Sequence, residues 1–220
     1  MIHFEREVVD PLFIEAMLQQ FHHVHMGLND EDGYPYVVPV NFGFEIKDDK
    51  LYVYVHFMKK GHKVDLMKRN SKVCLEFSMF NDFPDRPYKG HRHDYRSVIA
   101  KGKIRIVDIK DDYETFEKGY NLLYTCNHRE IVPLESRKVK PAMYIGEIVC
   151  DMKDVTAKSE FPIRTVEDVP FIDVYSVPED HTPFDIKDII QARRKKNWVK
   201  IQFFLVFIKI YVKIFKSIIN

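Results

Sequence analysis

Leu51-Tyr52-Val53-Tyr54-Val55-His56-Phe57 is the plainest extended run in the chain. Leu51, Val53, Val55 and Phe57 point one way and Tyr52, Tyr54 and His56 the other, because successive side chains of a strand alternate between faces. Just before it, Lys47-Asp48-Asp49-Lys50 is a short polar turn, and residues 34–45 are strand-like with an interruption at Pro39. Two extended runs joined by so short a turn predict an antiparallel hairpin.

Working outward, the turn cluster 29–33 precedes the hairpin. Before that cluster, Asp10-Pro11 reads as a helix start, with an acceptor side chain followed by a ring that presets φ. Phe13, Ile14, Met17, Leu18 and Phe21 then recur at three- and four-residue spacing, which predicts an amphipathic helix. Gly27 ends that helix or belongs to a following strand. C-terminal to the hairpin, residues 59–70 read as a short helix with Val64, Leu66 and Met67 as its apolar stripe. Val73, Leu75, Phe77 and Met79 alternate as a strand, and the polar segment 81–94 follows. Residues 97–107 are strand-like, with Lys101, Lys103 and Arg105 on one face. Asp111 and Asp112 stand where a helix cap belongs, before Tyr113, Phe116, Tyr120 and Leu123 at helical spacing. Residues 141–151 make a last apolar strand. Strands dominate, and the helices are too few to cover both faces of a parallel sheet. A small antiparallel barrel with peripheral helices, mainly β in class, is the expected architecture.

The bulk composition narrows function. A length of 220 residues suits one domain and an extension. The expected division is 1–158 for the barrel and 159–220 for a C-terminal extension. Lys and Arg total 34 against 33 Asp and Glu, so the charge gives no reason to expect a nucleic-acid partner. Cys74, Cys126 and Cys150 are isolated, which suggests neither a disulfide framework nor a zinc site. The early charges Glu5, Arg6, Glu7 and Asp10 do not suit an export signal, and a cytoplasmic location is expected. Arg193-Arg194-Lys195-Lys196 precedes an apolar stretch, 198–219, that holds Lys200, Lys209, Lys213 and Lys216. Each lysine costs roughly 2.5–3.5 kcal/mol at a bilayer centre, which argues against a spanning helix. An interfacial helix at a membrane surface, a helix docked on a partner subunit and an unstructured run all remain open.

Four stretches taken in order carry a family resemblance. They are Asp32-Gly33-Tyr34-Pro35-Tyr36-Val37-Val38-Pro39-Val40-Asn41-Phe42; Leu51-Tyr52-Val53-Tyr54-Val55-His56 with Gly61-His62-Lys63; Asn70-Ser71-Lys72-Val73-Cys74-Leu75-Glu76-Phe77; and Tyr95-Arg96-Ser97-Val98-Ile99-Ala100-Lys101-Gly102-Lys103. From about Phe13 to Lys158 the chain resembles the pyridoxamine 5'-phosphate oxidase-like proteins, and within them the nitroimidazole-resistance type. The resemblance implies an FMN-binding split β-barrel, antiparallel with Greek-key connections, whose flavin lies where two subunits of a homodimer meet.

The same resemblance assigns site residues. Lys63, near a helix start behind Gly61, is placed at the FMN phosphate, a dianion that needs positive charge and free N–H donors. His62 stands where the family often has arginine, and Arg96 and Ser97 match positions that meet the phosphate. Val38, Pro39, Val40 and Asn41 match the strand along the flavin ring. Pro39 has no N–H, so Val38, Val40 or Asn41 must supply the donor. His56 matches a histidine near the flavin and is the candidate proton donor. The implied activity is an FMN-dependent oxidoreductase passing electrons from NAD(P)H or another donor to a small nitro- or quinone-like acceptor. A haem-binding or haem-degrading barrel and a non-enzymatic flavin carrier or sensor are the alternatives. The clusters His22, His23, His25 and His91, His93 match no standard zinc spacing, and no metal site is expected.

Overall fold

The computed structural model describes residues 6–82, 93–136, 143–160 and 163–169. The hairpin around residues 47–50 forms as expected. Strands β4 (Phe42–Lys47) and β5 (Lys50–Met58) pair antiparallel, from Lys47 opposite Lys50 to Phe42 opposite Val55. Asp48 and Asp49 sit at φ 52° and 57°. Two consecutive left-handed residues make the turn whose twist matches the flanking strands.

The run 34–45 divides at Asn41, not at Pro39. Its first half is β3 (Pro35–Val40), which pairs with β2 (Val24–Asn29), a strand the sequence left undecided at Gly27. The first helix, α1 (Pro11–Gln20), therefore stops one residue before Phe21 and makes room for β2. Asp10 caps it, its carboxylate accepting from the Leu12 N–H at 2.9 Å.

With β6 (Lys72–Asp82), β7 (His93–Val107) and β8 (Met143–Asp151), the described strands run in the order β3-β2-β6-β7-β8-β5-β4. The two ends of that path, β3 and β4, are separated in sequence by Asn41 alone. Successive Cα atoms are about 3.8 Å apart, so the ends must meet and the sheet must curl into a barrel. β7 has β6 along one edge. Its other edge pairs with β8 through residues 103–107 and with β9 (Val155–Ser159) through residues 96–100. That change of partner splits the barrel wall. β9 in turn pairs with β1 (Glu7–Val8), and neither short strand is evident from periodicity.

The interior is filled by alternate residues of each strand, among them Met26, Leu51, Val53, Val55, Leu75, Phe77, Val98 and Ile148, all fully buried. α2 (His62–Arg69) adds Val64, Leu66 and Met67 to this core. α3 (Tyr113–Thr125) packs outside the barrel instead, burying Tyr54, Phe116, Tyr120 and Ile145 in a second cluster. Its approach is close at Gly43, where a β-carbon would lie 2.4 Å from the Leu122 carbonyl carbon.

The chain divides into Met1–Phe171 and Ile172–Asn220, and every described residue belongs to the first unit. Past Lys158, Ser159, Glu160 and Val169 are buried in that unit. The apolar stretch 198–219, with His91, lies outside the described residues. No helix among the described residues is long and apolar enough to cross a membrane.

Candidate functional site

Helix α2 begins at Gly61, whose φ of 129° is a conformation that side chains other than glycine's rarely adopt. The glycine offers no side chain to cap the helix. The first intrahelical bonds run from the Val64 and Asp65 N–H groups to the Gly61 carbonyl. The N–H groups of His62 and Lys63 precede them and have no acceptor within the helix. Lys63 is half-buried in this first turn, so an ammonium and helix-end donors occur together. That combination suits an anion.

His56, near the end of β5, is exposed, yet the surrounding protein still disfavours its charged form. Its pKa lies below the ordinary 6.5, first through desolvation and then through the positive charge of Lys63. The imidazole is therefore neutral at neutral pH. His62 is turned toward the β2–β3 connection. Its Nε2 is 2.6 Å from Asp30 Oδ2, and its ring meets the edge of Tyr36 at 5.0 Å. At the other end of α2, Arg69 pairs with Glu31. The helix is thus fastened to one turn at both of its ends.

β3 is the end of the strand path, with one edge unpaired among the described strands. The Asp30 N–H donates to the Tyr34 carbonyl, which marks the even-numbered residues of β3 as the pairs bonded to β2. Antiparallel bonding alternates, so Val38 and Val40 turn their N–H groups to β2. Pro35, Val37 and Pro39 face the open edge. The two prolines fall where a missing donor breaks no ladder bond. Val37 is then the open-edge donor within β3, and Asn41 follows at its end. The sequence reading did not single out Val37. Proline parity carried the signal, but it could not be used until β2 was known to be the partner. Val38 and Val40 also pack their side chains against the core, while Pro39 and Asn41 are exposed.

Arg96 and Ser97 lie elsewhere on the barrel. They occupy the first half of β7, opposite Met79 and Ser78 on β6 and Ser159 and Lys158 on β9. They also face opposite ways. Arg96 is 2 % exposed, on the interior side with Val98 and Ala100, whereas Ser97 is half-buried on the outer side. The Arg96 guanidinium donates to the Tyr95 carbonyl at 3.2 Å. Next to it in the fold, Glu160 is held by Arg6 at 3.1 Å. His56 registers through Ile145 with Val107, at the far end of β7. Ten residues of strand, a contour of at most roughly 33 Å, lie between Val107 and Ser97. One protomer therefore gathers His56, His62, Lys63 and Tyr36, with Arg96 and Ser97 at the other end of β7.

His25 Nδ1 lies 2.8 Å from Glu76 Oε2, and its ring meets His23 edge-on. Among the described residues no three His, Cys, Asp or Glu side chains form a metal-ligating group.

A protein ascribed to 5-nitroimidazole antibiotic resistance, from Bacteroides thetaiotaomicron, superposes with a TM-score of 0.57 at 23% identity, covering 70% of this chain and 86% of that one. A FAD and heme binding protein from Mycobacterium smegmatis gives 0.52 at 15% identity, with 84% and 97% covered. At these identities the likeness is one of fold. No curated protein matches the sequence. A family model described as pyridoxamine 5'-phosphate oxidase matches residues 13–145, more than half of the chain. With the antiparallel split barrel built from the same residues, that match makes the chain a member of the pyridoxamine 5'-phosphate oxidase family.

Proposed function

We propose that the protein is an FMN-dependent oxidoreductase of the nitroimidazole-resistance type. It would reduce a small nitro- or quinone-like acceptor with electrons from NAD(P)H or another donor. The observation that carries this reading is the first turn of α2, where Lys63 and two helix-end N–H groups stand beside His56. Membership of the family supports a flavin, and the donor set fits its phosphate. Lys63 and the N–H groups of His62 and Lys63 would hold that dianion. Val37 N–H and the carbonyls of the β3 edge fit the polar rim of a flavin ring, which presents both donors and acceptors. Asn41 extends that edge.

When bound, FMN supplies the redox chemistry. The chain's own residues bind, orient and manage protons. His62, tied to Asp30, positions the helix end. His56 is neutral at pH 7, so it acts there as a hydrogen-bonding group and becomes an imidazolium donor only in acid. Arg96 and Ser97 stand toward the opposite end of β7 from His56, which supports a homodimer in which each site draws on both copies.

The test is the absorption spectrum of purified protein reconstituted with FMN, followed by turnover with NADH and nitro or quinone acceptors. Flavin bands with quenched fluorescence and acceptor-dependent NADH oxidation are expected. A Soret band without flavin would instead identify a haem protein. Bound flavin without turnover would identify a carrier or sensor.

A further inference from the structure

His62 opens α2, and its side chain reaches out of the helix to a carboxylate that is itself held in place. His62 Nε2 lies 2.6 Å from Asp30 Oδ2. The other oxygen of Asp30 accepts from the Glu31 N–H at 2.7 Å. The Asp30 N–H donates to the Tyr34 carbonyl, and the Asp30 carbonyl accepts from the Gly33 N–H. Asp30 is thus fixed through its backbone and both side-chain oxygens, and only 20 % of its side chain is exposed. Tyr36 meets the ring nearly at right angles, 5.0 Å away. An ion pair between two loose surface side chains is worth little, because both must be ordered to make it. Here the acceptor is ordered in advance, and the imidazole is oriented by it.

That orientation has a chemical consequence. A carboxylate only accepts, so the ring carries a proton on Nε2, and Nδ1 is left for another partner. Of the two nitrogens, Nδ1 is covalently the nearer to the residue's own backbone. The His62 N–H is one of the helix-end donors described above, so an anion seated on those donors comes up beside the ring. In a neutral imidazole Nδ1 offers a lone pair, which repels a phosphate oxygen; in an imidazolium it offers an N–H. With Asp30 at one nitrogen and a dianion at the other, the ring stands between two anions, and opposite charges favour its charged form.

The other ionisable groups of the surrounding elements are Lys63 and Asp65 on α2, Glu31, Asp32 and Tyr36 about the β2–β3 turn, and His56, Lys59 and Lys60 on and after β5. Glu31 is engaged by Arg69 and Lys59 by Asp108. Asp32 accepts the Tyr34 N–H, and Lys60 and Asp65 are exposed. Lys63 opposes a second cation beside it. A dianion offsets this, since it carries one charge for the lysine and one for the ring.

We propose that Asp30 is a positioning residue for the anion site of α2, orienting His62 so that the imidazole takes up a proton as the phosphate binds and joins Lys63 as its second cation. The proposal rests on the flavin reading above and adds to it a proton-linked grip on the cofactor's phosphate. Binding that takes up a proton strengthens as pH falls, so FMN is held more tightly at neutral pH than in alkali.

The experiment is isothermal titration calorimetry of the full chain with FMN, repeated in buffers of different ionisation enthalpy to count protons. At about pH 7.5 a phosphate monoester, with its second pKa near 6, is almost wholly the dianion, so any proton taken up goes to the protein. The expected result is uptake of a large part of one proton with FMN and none with riboflavin. FMN affinity should fall by up to about tenfold per pH unit above neutrality. Asp30→Asn and His62→Gln should each abolish the uptake and flatten that dependence, with circular dichroism confirming each fold. FMN binding without proton uptake overturns the inference and leaves the flavin reading standing. Uptake that survives in Asp30→Asn, or in His62→Gln as it would if His56 received the proton, overturns it as well. No binding at about tens of micromolar FMN, a weak affinity, removes the flavin reading and the inference together.

Discussion

Lys63 and His56 are coupled through charge. If Lys63 neutralises a flavin phosphate, Lys63→Ala should weaken FMN binding by about 1.5–3 kcal/mol, the range for hydrogen bonds to charged groups. Riboflavin lacks the phosphate and should lose far less. Fluorescence titration of both ligands checks this, and equal losses would mean that the lysine acts through the fold. His56 predicts a pH dependence with a definite sign. Its folded pKa is below 6.5, so in acid the unfolded chain binds its proton first. Stability from the neutral ring is present above about pH 6.5 and is lost as pH falls toward the folded value. A proton-donating His56 would instead favour acid in the rate. The His56-dependent turnover should rise as pH drops below 6.5, and His56→Phe should flatten that limb. A wild-type profile unchanged by the substitution would exclude the donor role.

At the scale of elements, the packing of α3 on the hairpin is set by Gly43. A methyl there would meet the Leu122 backbone, not a flexible side chain, and a helix must shift to admit it. Gly43→Ala should cost about 1–3 kcal/mol, as overpacked sites do, read as a lower thermal midpoint. An unchanged midpoint would mean that α3 rides loosely on β4. The capping of α1 and α3 was legible in the chain. Asp10 and Asp112 both stand at helix starts with side chains accepting first-turn N–H groups, from Leu12 and Thr115. Arg105 bonds Asp112 and Glu147 as well, and its bond to Asp112 is the main reason that carboxyl sits below the usual range. The pairing of β3 with β2 was not legible. Six residues of Val24–Asn29 mix His, Gly and Asn with apolar positions, and so short an alternation competes poorly with the preceding helix pattern.

For the whole molecule, the boundary of the barrel unit can be tested by truncation. Val169 is fully buried, and Glu160 is buried and paired with Arg6. A chain ending at Lys158 loses both and leaves Arg6 without its carboxylate. Burial of a valine side chain alone is worth about 1.5–3 kcal/mol. Ending the chain at Lys158 should therefore lower stability well beyond ending it at Phe171, as urea unfolding would show. Equal stabilities would place the buried residues outside the cooperative unit.

Local chemistry decided a good deal of this protein before any contact was known. Strand alternation in 51–57, the Asp48-Asp49 turn, the Asp10-Pro11 cap and the stripe of Val64, Leu66 and Met67 are properties of neighbours in the chain. Period, capping and φ preference act over a few residues, and the ordered motifs placed the chain in its family. Tertiary structure alone decided which strands meet. It separated β3 from β4 at Asn41, turned Arg96 into the barrel and Ser97 out of it, and brought His62 to Asp30. It also joined Glu160 to Arg6 across the length of the unit. These outcomes depend on register and on partners far apart in sequence, where a shift of one residue reverses every side chain. No local pattern carries that information.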